Sequence, residues 1–244
     1  MLAVLLALVK YSPPASRRKR DVLTLGNSLV LGLRVLAAGC SSESAANILR
    51  RKLTEYRADC VCFEDGFPFR SVFSGFPPPR TDAVYDLFFG EIVRGILQRG
   101  STAYFRGDGS ERSRETLRET ALAKRYVLTD SSAPGADSLA REFGASVITG
   151  ADGRSLLRAD CAVFLSEPQR ETSFRPDCVC VASSPRFLDR VNAETKVLGL
   201  SVLLRRETPP GFARAELIGE AVSRGAVSRS DLTLTKILTT RNTL

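Results

Sequence analysis

From Tyr126 onward the chain changes register in short blocks. Tyr126–Thr129, Ser146–Thr149, Cys161–Leu165, Cys178–Ala182 and Val202–Leu204 are brief apolar runs closed off by polar, Gly or Pro positions, as buried strands are. Between them, residues 135–143, 152–158 and 185–196 carry apolar positions at helical spacing, the last opening on Pro185 near its first turn. Short strands alternating with helices predict a small parallel sheet with crossover helices, a Rossmann-like module over 125–204. Upstream, Val22–Cys40 reads as an apolar strand–helix stretch, and Ser44–Tyr56 as a helix with Ala45, Ile48, Leu49 and Leu53 on one face. Residues 66–80, dense in Pro and Phe, read as loop, and 82–98 as a helix with Val84, Leu87, Phe88, Ile92, Val93, Ile96 and Leu97 at helical spacing. Residues 107–118 are polar and read as a linker or a surface helix. The fold class expected is α/β in two domains: a split α+β RNA-binding domain from both chain ends, 22–120 plus 205–244, and the inserted Rossmann-like α/β domain.

Charge sharpens that division. The net charge is +8, and of the 35 basic residues 29 are arginine. Arginine binds phosphate through a planar fork and stacks on bases, which suits a polyanionic partner. A coding bias toward arginine accounts for the ratio equally well, but not for the excess of positive charge. Residues 1–125 carry 20 basic and 13 acidic side chains, 126–200 carry 8 and 10, and 201–244 carry 7 and 4. Basic ends around a slightly acidic middle are what a polyanion-binding body built from both termini, with a separate middle module, produces.

The six cysteines include no Cys-x-x-Cys, and the chain has no histidine, so a structural zinc is not expected. Most lie in apolar runs and read as small buried hydrophobes in a reducing compartment. Residues 1–20 hold five basic groups and no acid. The apolar run Met1–Val9 is too short to span a bilayer and its charges follow it, so the segment reads as basic and of organellar targeting type, with a basic tail lying on RNA as the alternative. No membrane partner is expected.

A Rossmann-like module raises the question of a nucleotide. The turn at 130–137 has one glycine and the acids Asp130 and Asp137, and Gly150-Ala151-Asp152-Gly153 places an acid where phosphate would sit. Gly107-Asp108-Gly109 precedes no apolar helix. Without histidine the usual proton-moving group is missing, and Ser183 and Ser184, at a strand's C-terminal edge, have no base partner in the sequence. Asp160 and Asp177 read as solvated strand starts. These observations lead to the expectation of no enzyme and no cofactor.

One resemblance gives the module a function. Arg125-Tyr126-Val127-Leu128, then residues 139–146 (LAREFGAS) and Val147-Ile148-Thr149-Gly150, resemble in order the strand, helix and strand of the inserted domain of the L-one family of large-subunit ribosomal proteins, which form the stalk beside the tRNA exit site. Residues 177–185 (DCVCVASSP) and Lys196-Val197-Leu198-Gly199 resemble the family's next strand and turn, and 225–237 its return strands into the first domain. The resemblance covers about half the chain and holds as an ordered series. It implies a ribosomal protein, expected in the mitochondrion with cytoplasm or plastid as alternatives. Its partners would be rRNA, neighbouring ribosomal proteins and tRNA. Arg205, Arg206, Arg214, Arg224, Arg229, Lys236 and Arg241 are the candidate phosphate contacts. Two other readings stay open: another RNA-binding protein of a ribonucleoprotein, and a small-molecule or nucleotide enzyme using the sheet's C-terminal edge.

Overall fold

Val35, Leu36, Ala38 and Cys40 on one strand and Leu6–Val9 on another are buried, which makes both strands interior ones. In this computed structural model, which describes residues 5–12, 23–129, 142 and 144–241, they belong to a four-stranded sheet. Its strands are β1 (Leu5–Tyr11), β2 (Leu23–Val30), β3 (Leu33–Cys40) and β4 (Ala58–Phe63), in the order β2-β3-β1-β4. β1 lies parallel to β3 and β4, and β2 runs antiparallel to β3. Leu23–Cys40 is thus a hairpin where a strand and a helix were expected over Val22–Cys40. The stretch 1–20, expected as a targeting segment, contributes β1 to the sheet centre.

Helix α1 (Glu43–Glu55) starts on Ser42, whose hydroxyl accepts the Ala45 N–H, and it buries Ala45, Ala46, Leu49 and Leu53. Ile48, expected on that face, is 45% exposed. Phe63, Phe67 and Phe73 close the cluster beneath the helix.

The chain divides into two compact α/β units, Met1–Val84 with Leu204–Thr233 and Tyr85–Leu203 with Leu234–Leu244. The division falls inside α2 (Asp82–Leu97) and differs from the expected one. It puts residues 85–120 and 234–241 with the middle of the chain instead of with its ends.

A seven-stranded sheet is built from β5 (Thr102–Arg106), β6 (Tyr126–Thr129), β7 (Ser146–Thr149), β8 (Cys161–Phe164), β10 (Val179–Ala182), β12 (Thr195–Leu204) and β13 (Leu232–Thr239). Their order is β13-β12-β10-β8-β5-β6-β7. Neighbouring strands from β12 to β7 are parallel. β13 is the antiparallel edge, its Thr240 N–H reaching the Lys196 carbonyl and its Thr235 hydroxyl the Ser201 carbonyl. The chain therefore starts at the centre, winds outward through β6 and β7, returns to β8 and winds the other way. This is the doubly wound order. The helix expected over 185–196 is a 3-10 turn, Pro185–Arg190, followed by the short β11 (Val191–Asn192), which pairs with β9 (Thr172–Ser173).

Helix α3 (Glu111–Ala123) packs on β5 and β6 through Ser113, Thr116, Leu117, Thr120 and Ala121. The polar stretch 107–118 is therefore a turn and the start of a packed helix. At the sheet's N-terminal edge Asp160 accepts the N–H groups of Ser101 (2.7 Å) and Thr102 (2.8 Å) and pairs with Arg175, which also lies 2.8 Å from Asp177. Asp160 is a brace between two strands, not a solvated strand start. Lys124, 4% exposed, donates to the Gly100 carbonyl at 2.9 Å and to that of Arg99, which holds its buried charge.

All six cysteines are free and buried. Burial pushes Cys161 up from the ordinary thiol value of 9.0 to about 12, and Cys62 is raised by its hydrogen bond with Cys60 and by burial. A raised thiol pKa contributes stability that is complete below 9.0 and lost as pH climbs toward about 12. Stability is thus expected to fall across that alkaline window. At pH 8, titration with an aromatic disulfide reagent is expected to label almost no thiol in the native protein and all six after denaturation.

Candidate functional site

In a doubly wound sheet the crevice lies at the carboxyl ends of the strands, where the winding reverses. Here that point is between β5 and β8, so the turn leaving β5 is the first place to look. It is Gly107-Asp108-Gly109-Ser110, and it leads straight into α3. Gly107 is buried where any Cβ would come within 2.1 Å of Ser113 Oγ and 2.9 Å of the Phe105 ring. Gly109 has φ of +80°, which costs other residues strain. Both glycines therefore have a structural cause: one lets the helix approach the strand, the other turns the chain into it.

The turn is held by its own polar groups. Asp108 Oδ1 accepts the Ser110 N–H at 2.9 Å and the Ser110 hydroxyl at 2.6 Å, and Ser110 Oγ accepts the Ser113 N–H at 3.1 Å. The Ser110 hydroxyl and backbone N–H hold the Asp108 carboxyl below the usual carboxylate range. The amides of Glu111 and Arg112 precede the first intrahelical bond, so their own helix offers them no carbonyl. Arg112 turns away from the turn, 3.2 Å from Asp86 and over the Phe89 ring.

The neighbouring strand ends add hydroxyls. Beyond β8, Ser166 Oγ donates to the Gly107 carbonyl at 3.0 Å, and Leu165 N–H donates to the Arg106 carbonyl at 2.8 Å. Beyond β10, Ser183 N–H donates to Phe164 O at 2.8 Å, which fixes Ser183 and Ser184 at the same edge. On the other side Thr129 ends β6 beside Phe105, fully buried, its hydroxyl without a partner among the described residues. The edge is thus lined by a glycine turn, helix amides and hydroxyls, with Asp108 and Glu111 among its acids.

Other sequence candidates fall as follows. Asp152 caps α4 (Gly153–Leu156), accepting the Ser155 N–H at 2.8 Å, and these bonds lower its pKa. The turn with Asp130 and Asp137, and most of the helix expected over 135–143, lie outside the described residues. No group of acids and cysteines suited to a metal ion occurs among the described residues, and none of the described helices is long and apolar enough to cross a membrane.

The seven basic candidates do not form one patch within one unit. Arg205, Arg206, Arg214, Arg224 and Arg229 belong to the first unit, Lys236 and Arg241 to the second. Arg206 pairs with Asp231 at 3.3 Å, and Arg224 lies 2.9 Å from buried Glu220 and 3.8 Å from Asp59. Arg241 pairs with Glu194, while Arg214 and Arg229 donate to the carbonyls of Leu204 (3.1 Å) and Leu232 (2.8 Å). Arg205 and Lys236 are exposed.

No protein-family model and no curated protein matches this chain. Among solved structures it is similar to the L-tryptophan dehydrogenase of Nostoc punctiforme, at 10% identity over 77% of this chain and 68% of that one, with a TM-score of 0.30. It is also similar to the ornithine carbamoyltransferase of Gloeobacter violaceus, at 13% identity over 93% of this chain and 86% of that one, again with a TM-score of 0.30. Likeness at this level carries no argument.

Gly107→Ala is expected to cost about 1–3 kcal/mol through overpacking. Adding Ser113→Gly should recover part of that loss by removing the nearest clashing atom. Urea unfolding midpoints of both single variants and the double variant check this, and strictly additive losses would contradict the packing account.

Proposed function

We propose that the second unit binds a nucleotide at the C-terminal edge of its sheet, with the Gly107–Ser110 turn facing the sugar–phosphate portion. The observation that carries this is the position of the Gly-x-Gly turn. It ends the strand from which the sheet winds in both directions and opens a helix whose first amides lie at the switch point. Gly109 turns the chain and Gly107 lets the helix approach the strand, which together set the first amides of α3 at the end of β5.

Asp108 and Glu111 shape the ligand's chemistry. A bare phosphate about 4 Å from a carboxylate meets repulsion of about 1 kcal/mol in water, and more in a partly dry turn. A nucleotide carried as its Mg²⁺ complex, or one that offers Asp108 ribose hydroxyls, avoids that cost. Calorimetry with ATP, GTP, NAD and S-adenosylmethionine, each with and without Mg²⁺, tests the reading. At least one is expected to bind with a Kd of about 100 μM or tighter, near −5.5 kcal/mol. Asp108→Asn, which keeps an acceptor for Ser110, should strengthen binding of a Mg²⁺-free anionic nucleotide by about fivefold. No binding heat from any of them would remove the proposal.

RNA binding, as the L-one resemblance implies, is the second reading, favoured by the net charge of +8 and by exposed Arg205 and Lys236. It includes rRNA in a large, mitochondrial ribosomal subunit as the setting. Filter binding to RNA over a range of salt should then give a log–log slope of about −0.7 to −0.9 per phosphate contact, where the nucleotide reading expects weak, unspecific retention.

A further inference from the structure

The outward faces of α2 and α3 carry features that neither the fold of the second unit nor the nucleotide site uses. Between the C-terminal halves of the two helices lies a groove of about 450 Å³, with Leu97, Gly100 and Ala123 among its lining. Leu122, 62% exposed, stands on its rim. Arg94 and Glu119 face each other across it at 3.5 Å, with 61% and 41% of their side chains exposed. One turn before Arg94, Gly90 is exposed, and Gly95 beside it is exposed too; a Cβ added at either would meet nothing within 4 Å. A solvent-facing glycine within a helix costs backbone entropy, and no packing among the described residues requires these two.

We propose that this face seats a second copy of the same chain in a two-fold pair. Self-complementarity selects that occupant. A two-fold interface presents one patch to itself, so the patch must hold both knob and hole and both signs of charge. Here the knob, Leu122, stands beside the hole it would fill in the other copy. Arg94 and Glu119 form a neutral rim that favours neither an acidic nor a basic stranger, while rotation by 180° brings each Arg94 toward the other copy's Glu119. Bare Gly90 and Gly95 let the second backbone come close. Gly100 precedes β5, so the groove is at the opposite end of the sheet from the Gly107 turn, and pairing leaves the nucleotide edge open.

Sedimentation equilibrium of the whole chain tests this. The wild type is expected to approach twice 26.6 kDa as concentration rises. Leu122→Asp is expected to weaken association at least tenfold with the melting temperature of the monomer unchanged. Arg94→Glu should weaken association as well, because it sets a new carboxylate against Glu119 within the chain and across the axis, and the double variant Arg94→Glu/Glu119→Arg should restore association. Gly90→Ala should raise the melting temperature of the dilute protein while weakening the pair. A wild type that sediments as a monomer at every concentration overturns the proposal. So does a dimer that neither Leu122→Asp nor Arg94→Glu weakens.

Discussion

Strand β5 has no free edge and no free face, and the second unit depends on that confinement. Ala103, Tyr104 and Phe105 are each at most 5% exposed, with β6 along one edge and β8 along the other. Tyr104 packs with Phe164 and Phe174 on one side of the sheet, and α3 covers the other. A strand so enclosed must leave the sheet through a turn with little room, and Gly107 is that turn's first residue. The close packing of helix on strand and the presence of backbone amides at the crevice are two consequences of one steric fact.

The two ends of β5 are treated in opposite ways. At its start the polar groups are densely bonded: Asp160 takes two backbone N–H groups and Arg175, and Lys124 fills the carbonyls of Arg99 and Gly100. This network fixes the strand's position. At its finish, among the described residues, the Thr129 hydroxyl is buried without a partner, and the first amides of α3 lie where Ser166 and Ser183 also gather. Rigidity at one edge and available polarity at the other is the arrangement a binding site on a parallel sheet requires.

Strands β6, β7, β8 and β10 are legible in the sequence because each is an apolar run between breakers. β5 and α3 are not, and the reason is physical. The buried face of α3 mixes Leu117 and Ala121 with Ser113, Thr116 and Thr120, whose small size permits close packing; Thr116 and Thr120 bond their own helix carbonyls at 2.8 and 2.7 Å. Hydroxyls satisfied in this way are as buried as alanine, yet they leave no apolar stripe. With the helix hidden, Gly107-Asp108-Gly109 looks like loop, and the sheet appears to begin one strand late. The pairing of the basic candidates is hidden from the sequence for a related reason. Arg224 with Glu220 is visible at i, i+4, but the pairing of Arg206 with Asp231, or of Arg241 with Glu194, exists only once distant segments meet.

Amide chemical-shift mapping bears most directly on the claim that function lies at the finish of β5. On titration with a Mg²⁺–nucleotide the largest shifts are expected at Gly107, Gly109, Ser110, Ser166 and Ser183, with the amides of Ser101 and Thr102 at the opposite edge unmoved. Shifts absent from the Gly107 turn, with RNA instead moving Arg205, Arg206 and Arg214, would contradict it.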